Sequence, residues 1–304
     1  MSEYIDNTLA ACRRVAVLSD IHSNYHALAA CYADALSRGV EGFILLGDYV
    51  SDLAEPRRTL DLVFKIIATH PTVALRGNRE RYMLECRDGV TSFAPGSRTG
   101  SFYFTYTRLC AADLNFFASL PFSSTVNIGG VRAQISHSSP DSDRYYFDSE
   151  DARVYEVMNG MREGYLIAGH SHRQYTFSHG GKTVINPGSV GVPHNADSRA
   201  DYALLDAADG NLVTTVRKVS YDIPAAIHSQ FASGLVATAR YWAIGILYDI
   251  ITGGAVALDL LHTVRERGDA GDESLWDTVA AELGLKSTEA EMLDLYHAHT
   301  ASLI

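Results

Sequence analysis

Five short apolar runs in this chain each lead into side chains able to hold a metal ion, and that repetition limits the possible folds more than any other feature. Residues 15–18 precede Asp20 and His22, residues 42–46 precede Asp48, residues 72–75 precede Asn78, residues 131–135 precede His137, and residues 165–168 precede His170 and His172. Runs of this length rich in Val, Ile and Leu read as buried strands. Helical patterns separate the first three. Residues 24–36 carry apolar and small side chains at helical spacing, and residues 56–68 place Leu60, Val63, Phe64 and Ile67 on one face. A βαβαβ rhythm implies a partly parallel, buried sheet. In open α/β sheets, sites form at the carboxyl ends of the strands. Five such ends would bring seven ligands to one rim.

The rest of the chain changes character twice. Residues 88–100 read as a Gly-, Ser- and Thr-rich loop, and residues 101–120 as one aromatic-rich helix ending at Pro121. Strand-like runs at 182–185, 202–205 and 212–218 follow, the last two flanking Asp209-Gly210, a strong hairpin signal. Antiparallel strands thus join parallel ones, which makes the fold class α/β with α+β character. From about residue 220 the pattern is helical: 223–231, 237–251, 256–267, 275–283 and 289–298. The expected organisation is a domain over 14–219 and a helical C-terminal extension over 220–304. The extension is expected to pack on the sheet; a lid or a dimer interface is the alternative. Residues 241–261 are apolar, but Asp249, Asp259 and the Gly253-Gly254 break favour two short core helices over a membrane span.

The ligand types agree with one another. Carboxylate, imidazole and amide oxygen without thiolate suit Mn, Fe, Zn or Ni, with Mg also admissible, rather than a structural zinc. Seven ligands exceed the need of one ion. A carboxylate shared between two ions would make a dinuclear site.

The motifs DIH (20–22), GDYVSD (47–52), GNRE (77–80), SHS (136–138) and GHSH (169–172) resemble those of the calcineurin-like metallophosphoesterase superfamily. INPGSVG (185–191) resembles its compact prokaryotic phosphodiesterase branch, which includes the retromer scaffold subunit. The resemblance covers about residues 14–219. It implies a four-layer αββα sandwich of mixed sheets. It implies that Asp20, His22 and His172 hold one divalent metal ion, that Asn78, His137 and His170 hold a second, and that Asp48 bridges them. The reaction implied is hydrolysis of a phosphate mono- or diester, with in-line attack of hydroxide on phosphorus. INPGSVG is expected to support the site from behind the ligands. One departure stands out. Where the family has GNH followed by an acidic residue, with a histidine that contacts phosphate and helps protonate the leaving group, this chain has Arg79. Arginine clamps phosphate oxygens but gives up no proton at neutral pH. The catalytic set is therefore expected to be Asp48, Arg79 and His137, with Arg79 and Asn24 touching substrate, although Asn24 also reads as a helix cap. His194, soon after INPGSVG, is a candidate replacement proton donor. Arg98 and Arg144 read as solvated charges.

Bulk properties narrow the partners. A net charge of -11 disfavours duplex nucleic acid; a small phosphorylated substrate remains compatible, because local metal charge outweighs the global field. Cys12, Cys31, Cys86 and Cys110 form no CxxC pair, and the N-terminus carries no basic-then-apolar leader, so a reduced, cytoplasmic protein without membrane contact is expected. The competing reading is a metal-binding but inactive scaffold of the same fold; the complete ligand set favours activity. A nuclease lacks its basic stripe, and nothing points specifically to a protein phosphatase.

Overall fold

The computed structural model describes residues 5–142 and 151–302; Arg144 lies outside them. Two mixed sheets form the body. The five-stranded sheet runs Asn211–Val219, Ala200–Ala208, Arg14–Leu18, Gly42–Leu45, Thr72–Ala74. Its last three strands are parallel and its first two antiparallel. The six-stranded sheet runs Ile5–Asp6, Ser123–Ile128, Val131–Ser136, Tyr165–Ala168, Lys182–Pro187, Gln174–His179.

Alternation along the strands builds the layers. Val15 and Val17 point into the space between the sheets, against Ile135, Ile167 and Ile185. Ala16 and Leu18 point the other way, onto Leu28 of helix Tyr25–Ser37 and Leu60 and Val63 of helix Pro56–Thr69. On the far side, Leu166, Ala168 and Val184 meet Val154 and Met158 of helix Ala152–Gly160. The order is helix, sheet, sheet, helix, as expected. Burying a Val, Leu or Ile is worth roughly 1.5–3 kcal/mol, and a one-residue slip would turn each of them to the wrong face, so register is tightly fixed.

Asp209 and Gly210, with φ of 50° and 75°, make the hairpin turn the sequence signals. Elsewhere the structure departs from expectation. The helix expected over 101–120 is two, Gly100–Tyr106 and Ala111–Ser119. Between them the Thr107 hydroxyl bonds back to the Tyr103 and Phe104 carbonyls, each at 3.0 Å, while the Asp113 carboxylate accepts the Cys110 N–H at 2.8 Å and starts the second helix.

The extension also differs. Its five helices form their own core around Leu247, Ile250, Leu260 and Trp276. That core closes over Leu53 and Val192, and Leu235, Ala239 and Ala243 close over Ala54 and Phe104. It therefore covers the loops at the sheet's carboxyl rim rather than a sheet face. Helix Leu235–Thr252 is long and apolar enough to cross a membrane by composition alone, but most of it is buried in this core.

Candidate metal centre

The strand ends do meet at one rim. Among the described residues, Asp20, Asp48, His137 and His170 place one ligand atom each within 4.8 Å of one another, and so do Asp20, His22 and His172. Asn78 begins the helix Asn78–Arg87 and sets its Oδ1 3.0 Å from His137 Nε2. The Asp48 carboxylate reaches both groups, with Oδ2 3.7 Å from His22 Nε2 and 3.5 Å from His137 Nε2. Asp20 also belongs to both, so the geometry offers two carboxylates that could be shared.

Backbone conformation aims these side chains. Asp20, His22, Asp48, His170 and His172 all have positive φ, between 51° and 67°. That region is rare for non-glycine residues, costs free energy and clusters at functional sites. The ligand loops also pass closer than side chains allow. A Cβ on Gly77 would collide with the Asp48 carboxylate, and one on Gly169 with the Ser19 hydroxyl. These glycines let ligands from neighbouring strands share one small volume.

Hydrogen bonds fix which ring nitrogen faces the centre. His137 Nδ1 lies 2.9 Å from the Leu46 carbonyl, and His172 Nδ1 2.6 Å from the Val192 carbonyl. Both nitrogens must donate there, which leaves Nε2 as a lone pair. His22 Nδ1 faces Asp52 Oδ2 at 2.9 Å, somewhat off the ideal hydrogen-bond line. As a result His22 Nε2 and His172 Nε2 oppose each other at 3.1 Å, and His137 Nε2 opposes Asn78 Oδ1 at 3.0 Å. With neutral rings oriented this way each contact sets two lone pairs against one another, and Asp20 Oδ1 is buried beside the first pair without a hydrogen-bond partner. A cation resolves all three conflicts, so the residues fit divalent metal. Without one, protons must do the same work. Burial alone would lower the His22 pKa, but Asp20, Asp52 and Asp48 outweigh it and lift it to about 9.

Two residues inside the quoted motifs had no role in the sequence reading. Glu80 is buried and accepts the N–H groups of Asp48, Tyr49 and Gly77, each at 2.8 Å, tying two ligand loops together. Burial, then the nearby Asp48, raises its carboxyl to about 7. Asp52 faces His22, pairs with the Arg79 guanidinium at 3.0 Å, and accepts from the Ser101 hydroxyl at 3.0 Å and the Trp242 indole at 2.8 Å. Burial would raise its pKa, yet Arg79 and His22 hold it well below the usual carboxylate range. Trp242 gave no sequence signal at all.

Arg79 stands at the rim beside Asp48, its guanidinium carbon 5.1 Å from the Phe102 ring centre. Asn24 does not face the centre. Its Oδ1 caps a helix at Ala27 N–H, and its amide donates to the Gly191 carbonyl at 2.9 Å. With both polar atoms engaged in a buried loop contact, the expected substrate role is corrected to a structural one. INPGSVG lies behind the ligands. Asn186 donates to the Gly169 carbonyl at 3.0 Å and the Ser189 hydroxyl to the Asp20 carbonyl at 2.8 Å. His194 stacks on His172 with ring centres 4.8 Å apart; burial and then the neighbouring histidines push it down to about 3. It is neutral near pH 7, and bound cations would lower it further, so it holds no spare proton for a leaving group.

The fold and this rim define a metallophosphoesterase architecture. Residues 14–210 match the family model for the calcineurin-like phosphoesterase superfamily domain, and the chain belongs to that superfamily. It is 30% identical over 227 residues to the uncharacterized protein MJ0912 of Methanocaldococcus jannaschii, covering 69% of this chain and 88% of that one. Its structure resembles a metallophosphoesterase from Sphaerobacter thermophilus (TM-score 0.60, 23% identity, 74% of this chain and 97% of that one). It also resembles the hypothetical protein PH1004 from Pyrococcus horikoshii OT3 (TM-score 0.67, 19% identity, 79% and 98%).

Proposed function

We propose that this chain hydrolyses small phosphoesters at a dinuclear centre. Asp20, His22 and His172 would hold one divalent ion and Asn78, His137 and His170 the other, with Asp48 between them. The observation that carries the reading is the convergence of these ligand atoms on one rim, with two close nitrogen–nitrogen and nitrogen–oxygen contacts that a cation would relieve. When bound, the ions supply Lewis acidity and a water of lowered pKa. The protein's own work is positional. Asp52 and the Leu46 and Val192 carbonyls orient the imidazoles. Arg79, kept charged by Asp52, binds phosphate oxygens and stabilises charge gathering on them. Neither Arg79 nor His194 is a ready proton donor, which favours substrates whose leaving groups depart as anions. The acidic surface favours small substrates over duplex nucleic acid, and four unpaired cysteines suit the reducing cytoplasm.

The test is hydrolysis of p-nitrophenyl phosphate and its bis-ester, with elemental analysis of the same samples. Two ions per chain are expected, and turnover that disappears on chelation and in Asp48→Asn. Protein that takes up no stoichiometric metal, or wild-type turnover in Asp48→Asn under limiting metal, overturns the reading.

A further inference from the structure

The rim opens into a cavity of about 470 Å³, and its two sides differ in chemistry. One side carries Asp48, Asn78, Arg79, His170 and His172. The other is built by the C-terminal extension, chiefly Ile246, Asp249, Gly253, Gly254, Ala257 and Leu258. A volume of this size is in the range that encloses a whole small molecule, far more than a phosphate group. The extension's side offers no lysine or arginine, so it is not shaped for a second anionic group. A polyol would need a polar partner for nearly every hydroxyl, and this wall has few.

What the wall does have is the exposed imidazole of His262 and one buried, orphaned polar group. Asp249 is buried, its Oδ1 accepting the Val256 N–H at 2.5 Å, while its Oδ2 has no hydrogen-bond partner. Burial raises this carboxyl well above its ordinary value. Burial thus favours the protonated form, and with Oδ1 engaged as an acceptor the proton falls on Oδ2, making it the donor. Leu258, on the same wall, leaves 38% of its surface exposed. Trp242 stands where the two sides meet, its indole N–H fixed on Asp52.

We propose that the extension's side of this cavity is a subsite for a flat, nucleobase-sized ring carried by the phosphoester substrate, with the Asp249 carboxyl donating to an acceptor on that ring. Apolar walls with one or two placed polar groups are how proteins select such rings. The inference rests on the phosphoester reading above and narrows its substrate to the nucleotide class.

Calorimetry on manganese-loaded protein separates the two. The probes are inorganic phosphate, a hydrolysis-resistant phosphonate analogue of adenosine monophosphate, and the corresponding ribose phosphonate lacking the base. The base should tighten binding about tenfold, equivalent to roughly 1.4 kcal/mol. Leu258→Trp, a substitution at an exposed position that fills the subsite, should abolish that gain while phosphate affinity stays within about twofold. Asp249→Asn keeps the acceptor for Val256 and places an N–H where Oδ2 stands, so it should retain the gain. Equal binding of the two phosphonates, or a gain that survives Leu258→Trp, overturns the subsite while phosphate binding remains intact. Loss of the gain in Asp249→Asn overturns the role given to Asp249. Failure of inorganic phosphate to bind wild type at all would instead remove the phosphoester reading, and the subsite with it.

Discussion

Asp52 ties the centre to its surroundings, since His22, Arg79, Ser101 and Trp242 all converge on its carboxylate. Groups that orient metal-bound histidines typically matter about 10–100-fold for affinity or activity. Asp52→Asn, nearly isosteric, should therefore weaken metal binding about 10–100-fold and loosen Arg79. Metal titration checks this, and unchanged affinity would reduce Asp52 to a packing residue. On the proposed function, Arg79 sets the leaving-group preference. A positioned general acid contributes roughly 10²–10⁴-fold, and arginine cannot act as one, so rates on a graded ester series should fall steeply as leaving-group pKa rises. Arg79→His should flatten that slope and Arg79→Ala should lower every rate; a flat wild-type series would show that Arg79 does not limit proton delivery. Asp201, away from the ligands, gives a pH signature. Burial raises its carboxyl from 3.8 to about 6 despite Lys218 at 3.0 Å. The folded state then binds the proton more tightly than the unfolded chain. The stability this group contributes is full below about pH 4 and is lost as pH rises through about 6. Urea unfolding of metal-free protein should show wild type losing roughly 2–3 kcal/mol relative to Asp201→Asn between pH 4 and 6.5, then running parallel to it. A constant difference across that window would contradict the shift.

At the scale of elements, strands whose core faces are continuous were legible because burial on both sides writes an unbroken apolar run. Three of the five ligand-bearing strands, Arg14–Leu18, Gly42–Leu45 and Tyr165–Ala168, belong to this kind, whereas Val131–Ser136 alternates, with Arg132 exposed. Edge strand Gln174–His179 escaped notice because it is half-exposed and polar, and helix Asn78–Arg87 because it is mostly charged. The extension's helices were legible one by one, yet their docking was not. It depends on contacts such as Trp242 to Asp52, between residues 190 positions apart, which leave no periodic trace. Truncation after Ser220 should bare Leu53, Ala54, Phe104 and Val192 and cause aggregation. Light scattering on the purified fragment is the check; a soluble monomer as stable as the full chain would mean the extension is not part of the folding unit.

For the whole molecule, the sandwich and the ligand rim could be read from residues 14–219, whereas the cavity could not, since half of its lining comes from beyond them. The centre therefore draws on both ends of the chain, Asp20 from the first strand and Trp242 from the extension. Ribosomes deliver these in order, at roughly 5–20 residues per second. Every proposed metal ligand has emerged, and its strands can pair, while the helices that roof the centre are still being made. During that interval the ligands stand open to the cell's ion pool with no wall in front of them. A finished molecule stripped of its ions has to take them back through a narrower mouth. Its reloading should lag behind the loading of freshly synthesised chains, so the identity of the ions it carries would record which metal was at hand at birth.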